Sequence, residues 1–317
     1  MRAYTIRRLL LLIPTLFILA TMVFLSVRFV PGDAIDAMEA RYQTYTGLDR
    51  EALEKQLGLN VPIHVQYGRW WRDLILHGTL GESLFGRWSV EEKILARLPV
   101  TIELGLLAII ISLVISLPVG VYSAICQDTP ADYVGRTLAV IGMAIPNFWL
   151  ALMVIIYPAI WWGWSPPTQV IPFFEDPLGN LGVFIIPSLI LGTAMSADTM
   201  RMTRTMMLEV LRQDYIRTAR SKGLKEWEVV TRHALKNSLI PVVTMIGMRM
   251  PILVGGSVII ENIFALPGLG RLYMLALQGR DYPVVSGINL FFAIWVVGFN
   301  LIVDLIYPIL DPRVRYR

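Results

Sequence analysis

The sequence predicts an all-α integral membrane protein with about six transmembrane helices and a small external subdomain after the first. Three observations carry that prediction. Of the 317 residues, 55% are hydrophobic and 16% charged, whereas soluble domains carry about 25% charged residues. The mean hydropathy is +0.59. The apolar residues also gather into runs of roughly 20, the length a helix needs to cross a bilayer.

The first run, Leu9 to Val30, follows Arg2, Arg7 and Arg8. It is too long for a signal-peptide core and no small-residue cleavage site follows, so it reads as a retained signal anchor. Arg7-Arg8 is then an inside-facing charge pair rather than a twin-arginine export signal. Residues 31–99 are polar, mixed in charge and contain Trp70, Trp71 and Trp88. They suit a small extramembrane subdomain of short helices. One helix is expected over Asp49 to Leu57, with Asp49 as N-cap and Gly58 as its stop.

The second span is expected at about Val100 to Ile125 and the third at Leu138 to Tyr157, joined by the polar stretch Gln127 to Arg136. An aromatic, proline-rich loop covers 158–183, its tryptophans fitting an interfacial belt. The fourth span runs from about Phe184 to Met206, the fifth from Leu239 to Ile263 and the sixth from Val284 to Tyr307. A basic segment, 207–238, separates the fourth and fifth spans. The tail is 308–317. This gives a first segment 1–30, an external subdomain 31–99, a five-helix core 100–307 and a tail, with no soluble domain expected at either end.

Six spans place both termini on one side, and basic residues favour the cytoplasmic side. With the N-terminus inside, the inside segments hold sixteen Lys and Arg, nine of them between Arg201 and Lys236. The two short outside loops hold only Arg271 and Arg280. Residues 31–99 carry eight basic residues against ten acids and exceed the length over which the rule applies. Both termini are therefore expected in the cytoplasm. The formal charge of +4 is small and clustered, so it reads as membrane topology and not as nucleic-acid binding.

Catalytic and cofactor motifs are missing. There is no Walker A pattern, no Gly-x-Ser-x-Gly, no His-Glu-x-x-His and no Cys-x-x-Cys. Gly268-Leu269-Gly270 lacks the strand context of a dinucleotide site and reads as a turn. A single cysteine, Cys126, forbids an intrachain disulfide, and His64, His77 and His233 are far apart in sequence. No enzyme and no cofactor on this chain is expected. Any energy for transport comes from a partner or an ion gradient.

The segment Glu209 to Pro241 is too long for a simple connection. Leu208, Leu211, Tyr215 and Ala219 fall at helical spacing, as do Trp227, Val230 and Ala234, with Gly223 between the stripes. Two short amphipathic helices joined at a glycine either present an angled surface to a cytoplasmic partner or lie on anionic headgroups. The pattern alone leaves both open.

Within it, Asp214-Tyr215-Ile216-Arg217-Thr218-Ala219-Arg220-Ser221-Lys222-Gly223-Leu224, followed by Arg232-His233-Ala234-Leu235-Lys236-Asn237-Ser238-Leu239-Ile240-Pro241, resembles the cytoplasmic loop of permeases in the dipeptide/oligopeptide/nickel group of ABC importers. Arg217-Thr218-Ala219 and Gly223 match the frame of the general Glu-Ala-Ala loop. The Glu and the later Pro of that loop are replaced, as in the peptide-permease subgroup. Leu12-Ile13-Pro14-Thr15-Leu16 with Pro31-Gly32-Asp33 resembles the start of the B-type permease. Phe264 to Leu272 with Arg280-Asp281-Tyr282-Pro283 resembles its last outside loop, and Asp311 to Tyr316 its tail. The resemblance covers essentially the whole chain.

The resemblance implies a type I importer fold and a mechanism. A coupling helix, roughly Ser221 to Val229, would fit a groove in a cytoplasmic ATPase. Asp214, Tyr215, Arg217, Ala219, Gly223, Leu224 and Trp227 would belong to that surface. Two P-loop ATPases using ATP and Mg would drive this chain and a C-type permease from inward- to outward-facing. An external binding protein would dock on 31–99 and the Trp161–Phe174 loop. Peptides are the commonest cargo of such systems, and relatives carry nickel chelates, opines, glutathione and sugars. Gly223 is expected to allow a sharp turn or a close approach that a Cβ would obstruct, or else to be an ordinary helix C-cap. The competing classes are an ion-coupled secondary transporter, for which no inverted repeat is evident, and a membrane-bound enzyme.

Arg249 and Asp198 lie near the middles of the fifth and fourth spans. An arginine there costs about 2.5–3.5 kcal/mol on insertion scales, so it should face protein or water. Either the two line the translocation path and meet substrate charges, or they pair and fix helix packing; packing is the preferred reading. Glu103, Glu261 and Asp304 are expected nearer the interfaces. Pro241, Pro251 and Gly255-Gly256 make the fifth span bendable. Trp70 and Trp71 are expected to pack the external subdomain.

Overall fold

The computed structural model describes residues 2–29, 34–36 and 50–310. Pro31-Gly32-Asp33, the expected N-cap Asp49 and the tail motif at 311–316 lie outside the described residues, as do the side chains of Pro251 and Asp304. Among the described residues the chain is helical, with one isolated bridge between Glu82 and Ser89.

In chain order the helices are α1 (Arg2–Arg28), α2 (Arg50–Gln56), α3 (Ile63–Arg72), α4 (Val90–Ile125), α5 (Pro130–Ala144), α6 (Asn147–Trp162), α7 (Pro177–Leu211), α8 (Asp214–Ser221), α9 (Glu226–Glu228), α10 (Leu235–Gly256), α11 (Val258–Ile263), α12 (Leu269–Gly279) and α13 (Tyr282–Leu310). Among the described residues four are long and apolar enough to cross a membrane, within Leu10–Arg28, Val90–Ile125, Pro177–Leu211 and Tyr282–Val303. A fifth crossing arises if α5 and α6 count as one broken span. α10 occupies the expected fifth span, with the side chains of 251–254 outside the described set.

The third span departs from expectation. It is not one straight helix: α5 and α6 meet at an angle of 86°. The break falls at Ile145-Pro146, both in extended conformation. Proline lacks an N–H and pushes the preceding residue out of helical space, which ends α5 there. The expected loop 158–183 shrinks to 163–176, because α6 runs to Trp162 and α7 begins at Pro177. Asp176 caps α7, its carboxylate accepting from the Gly179 N–H at 3.0 Å. The short helix near 50 matches expectation, and Gly58 ends it at φ +69°.

The chain divides into two compact units. The first comprises Met1–Thr101 and Pro267–Leu301. There α3 lies along α1. Phe24 is fully buried, with the rings of Tyr67 and Trp70 at 5.2 and 5.5 Å, and Trp71 stacks on Phe17 at 5.1 Å. The two tryptophans therefore pack, but against Phe17 and Phe24 of the first apolar helix and not only within the segment 31–99 as expected. Asp281 accepts from the Ser83 hydroxyl at 2.5 Å and the Leu84 N–H at 3.1 Å, tying the segment before α4 to the start of α13. Burial pushes its carboxyl above the ordinary range.

The second unit comprises Ile102–Leu266 and Ile302–Arg315. Its centre is α7, which packs on α4, α5 and α10. Close approach to α4 requires two glycines. A Cβ on Gly120 would stand 2.9 Å from the Met200 carbonyl, and one on Gly192 2.8 Å from the Ala108 carbonyl. Small residues at such crossings let helix backbones meet. Glu261 is another correction: it is fully buried and accepts from Ser257 at 2.9 Å instead of reaching an interface. The helix is interrupted at Ser257, and the short α11 packs against α6.

Candidate functional site

The segment between α7 and α10 begins where α7 ends. Arg212 keeps near-helical angles, but Gln213 is extended at ψ 148°. That residue resets the helical phase, so the expected stripe Leu208–Leu211–Tyr215–Ala219 is not continuous. On α8 the buried residues are Ile216 and Ala219, while Tyr215 is 43% exposed. The Tyr215 hydroxyl accepts from Asn237 at 2.9 Å, anchoring α8 to the start of α10.

The second stripe shifts for a similar reason. Residues Val229–Ala234 form a π-turn, which carries an extra residue per turn. Val229, Val230 and Ala234 are buried and Trp227 is left 76% exposed. Ile216, Ala219 and these three pack with Met207 of α7 and Ala124 of α4. Burying a side chain such as Ile216 contributes about 1.5–3 kcal/mol. That apolar base, rather than surface charge, holds the segment on the helix ends.

Gly223 makes the corner. It stands at φ +79° directly after α8, and its N–H donates to the Arg220 carbonyl at 2.9 Å. This is a left-handed helix ending, which glycine adopts without steric cost. A Cβ there would meet nothing within 4 Å. The sharp turn is thus present, and no close approach within this chain requires the glycine. The turn also removes the expected single helix over Ser221–Val229: α8 stops at Ser221, Leu224-Lys225 are non-helical, and α9 spans only Glu226–Glu228. Arg220 bridges the corner to Glu226 through two contacts, at 2.6 and 3.1 Å. The pair holds the Glu226 carboxyl below and the Arg220 guanidinium above their ordinary values. Both are about half exposed, so the pair adds at most about 1 kcal/mol.

The structure therefore sorts the sequence-derived residues. Asp214, Arg217, Leu224 and Trp227 are exposed on the outer side, with Asp214 and Arg217 3.5 Å apart. Ala219 lies in the base, Gly223 at the turn, and Tyr215 beside α10. Trp227 forms one lip of an apolar groove of about 880 Å³ with Val121, Tyr122, Val134 and Leu138. Asp198 and Arg249 are not part of this corner. They meet each other across α7 and α10 at 2.5 Å, and Arg201 also reaches Asp198, at 2.6 Å.

Sequence reasoning missed one cluster. Asp132, in the first turn of α5, is fully buried. Arg204 of α7 grips it through both carboxylate oxygens at 2.8 and 2.7 Å. Ser123 of α4 donates to one oxygen and the Asp128 N–H to the other. Arg136 stands 3.3 Å away. The cluster ties three helices together beside the apolar base. Its sequence signal was weak, because Asp132 lies in a polar stretch that read as a connecting loop. No group of His, Cys, Asp and Glu suited to a metal ion occurs among the described residues.

Comparison with known proteins places this geometry. The family described as binding-protein-dependent transport system inner membrane component matches residues 116–316. An oligopeptide transport system permease protein of Bacillus subtilis is 40% identical over 319 residues, covering 100% of both chains. A permease assigned to a peptide transport system of Brucella abortus is 42% identical with the same coverage. A glutathione transport system permease protein of Salmonella paratyphi A is 37% identical over 99% of each chain. The fold is similar to the crystal structure of an amino acid ABC transporter, with a TM-score of 0.50 and 15% identity, over 68% of this chain and 92% of that one.

Proposed function

The chain belongs to the binding-protein-dependent transport system inner membrane components, as a permease subunit of the peptide and nickel group of ABC importers, and from that membership we propose that it forms, with a related C-type permease, the path by which di- or oligopeptides enter the cell. It is a multi-pass inner-membrane protein. The proposed energy source is a pair of cytoplasmic P-loop ATPases that carry ATP and Mg. An external substrate-binding protein delivers the cargo. Both termini face the cytoplasm in this reading, which rests on the distribution of Lys and Arg. The peptide assignment is supported by the names of the oligopeptide and glutathione permeases it resembles.

The observation that carries the mechanism is the exposed corner at Gly223 on a buried apolar base. Motion of the corner would reach α7 through its base, where Ile216 and Val229 pack with Met207. A corner seated on a packed apolar base suits transmission of an ATPase motion. Asp214, Arg217 and Leu224 are the proposed contact residues. A second reading applies to Trp227 alone. Its place on an apolar groove with residues of α4 and α5 fits an interfacial anchor.

Isolation of the wild-type chain in mild detergent, with mass spectrometry of what accompanies it, tests the assembly. A P-loop ATPase and a second permease should co-purify. A chain that comes down alone, under conditions that preserve other membrane complexes, would remove the proposed assembly.

A further inference from the structure

The cluster at Asp198 has a composition that a packing role leaves unused. One carboxylate faces two guanidiniums, Arg249 at 2.5 Å and Arg201 at 2.6 Å, so the trio carries a net charge of +1. Each guanidinium has five donor hydrogens, and each gives one nitrogen to Asp198 in these contacts. The depth matters. α7 has 35 residues, and Asp198 stands about 6 Å past its midpoint at 1.5 Å per residue. The side chains are nevertheless partly open: 29% for Asp198, 25% for Arg249 and 54% for Arg201. Charges at that depth do not face acyl chains; they meet water or protein.

A second observation extends the polar face. From Asp198 at helical spacing come Arg201, Thr205, Glu209 and Arg212. The last three, with Arg204 and Gln213, line a depression of about 470 Å³ at the end of α7. One side of α7 thus stays polar from near its midpoint to its last turn.

We propose that this stripe lines the translocation path and that Arg201 and Arg249 hold the carboxylate of a passing peptide, with Asp198 keeping both guanidiniums in place between passengers. The inference rests on the peptide-import reading. Two arginines can grip a carboxylate through parallel hydrogen bonds, and Arg201 is the more accessible of the two. Asp198 competes with the cargo, which keeps the hold weak enough for release.

The test uses the assembled transporter in lipid nanodiscs without the binding protein. N-terminally dansylated trialanine and its C-terminal amide are compared by fluorescence anisotropy. The free acid should bind about tenfold more tightly than the amide, the scale expected for a charged hydrogen bond. Arg201→Gln should erase the difference. Asp198→Asn should keep it, because that change raises the positive charge, whereas a purely structural ion pair predicts loss in both variants. Equal binding of acid and amide to the wild type overturns the subsite. So does a preference that survives Arg201→Gln or vanishes in Asp198→Asn, or no binding at all in a complex whose cells import trialanine. If wild-type cells import no peptide, the peptide reading itself fails and the subsite falls with it.

Discussion

Asp132 shows how much a single buried carboxylate organises. Arg204 is largely covered, with 17% of its side chain exposed, and Asp132 is fully covered. Removing one partner from such a pair costs about 3–5 kcal/mol, because the other charge stays buried without compensation. Asp132→Asn should therefore lower the melting temperature of the purified protein markedly. Arg204→Lys should lower it less but visibly, since an ammonium cannot reproduce the two-pronged grip. Replacing both together, as Asp132→Ala with Arg204→Met, should recover part of the loss. An Asp132→Asn protein that melts like the wild type would remove the stabilising role. The contrast with Asp198 explains what was legible. Asp198 and Arg249 each fall within an expected span, so depth alone called for protein or water around them, and each meets the other, with Arg201 as a second partner of Asp198. Asp132 and Arg204 sit among other polar residues, where a buried charge looks like a solvated one.

The elements were legible where the hydrophobic signal is long and uninterrupted. α4, α7 and α13 lie where runs of apolar residues placed them, each extended at one or both ends by residues that pack within the protein. Breaks were legible only in part. Pro146 splits the third span because one proline outweighs the hydropathy around it. The stripes between α7 and α10 were read in a single phase, which Gln213 and the π-turn both reset. The turn expected at Gly223 is present, and its geometry grades its substitutions. Its φ is +79° and a Cβ would meet nothing of this chain within 4 Å, so within the chain the cost of a side chain is backbone strain. Asparagine tolerates that region and should support near-normal uptake. Alanine carries about 1–2 kcal/mol of strain there and should reduce uptake moderately. Proline is locked near −65° and loses the N–H that donates to Arg220, so Gly223→Pro should abolish uptake at unchanged membrane levels. Normal uptake by an inserted proline variant would show that coupling does not need this bend.

At the scale of the whole molecule, the distribution of charge predicts the orientation of the chain in the membrane. Sixteen Lys and Arg fall on segments assigned inside, and two on the short loops assigned outside. Their insertion preference sets topology through many small contributions, and no single residue decides it. The native sequence supplies a reporter. Cys126 is the only cysteine, partly exposed just past the end of α4. A membrane-impermeant maleimide should label it in inside-out vesicles and not in intact cells whose outer layer has been opened. In a Cys126→Ser background, Phe174→Cys should show the opposite pattern. Phe174 is 97% exposed in the loop between α6 and α7, and the ring contact the substitution removes is the edge contact with its neighbour Phe173. The two positions lie on opposite sides of the bent α5–α6 pair if that pair crosses the membrane. Labelling of both from the same side would mean that the pair is re-entrant, and the odd number of crossings left would separate the two termini. The 86° bend thus makes the third span the element on which the orientation of everything after it depends.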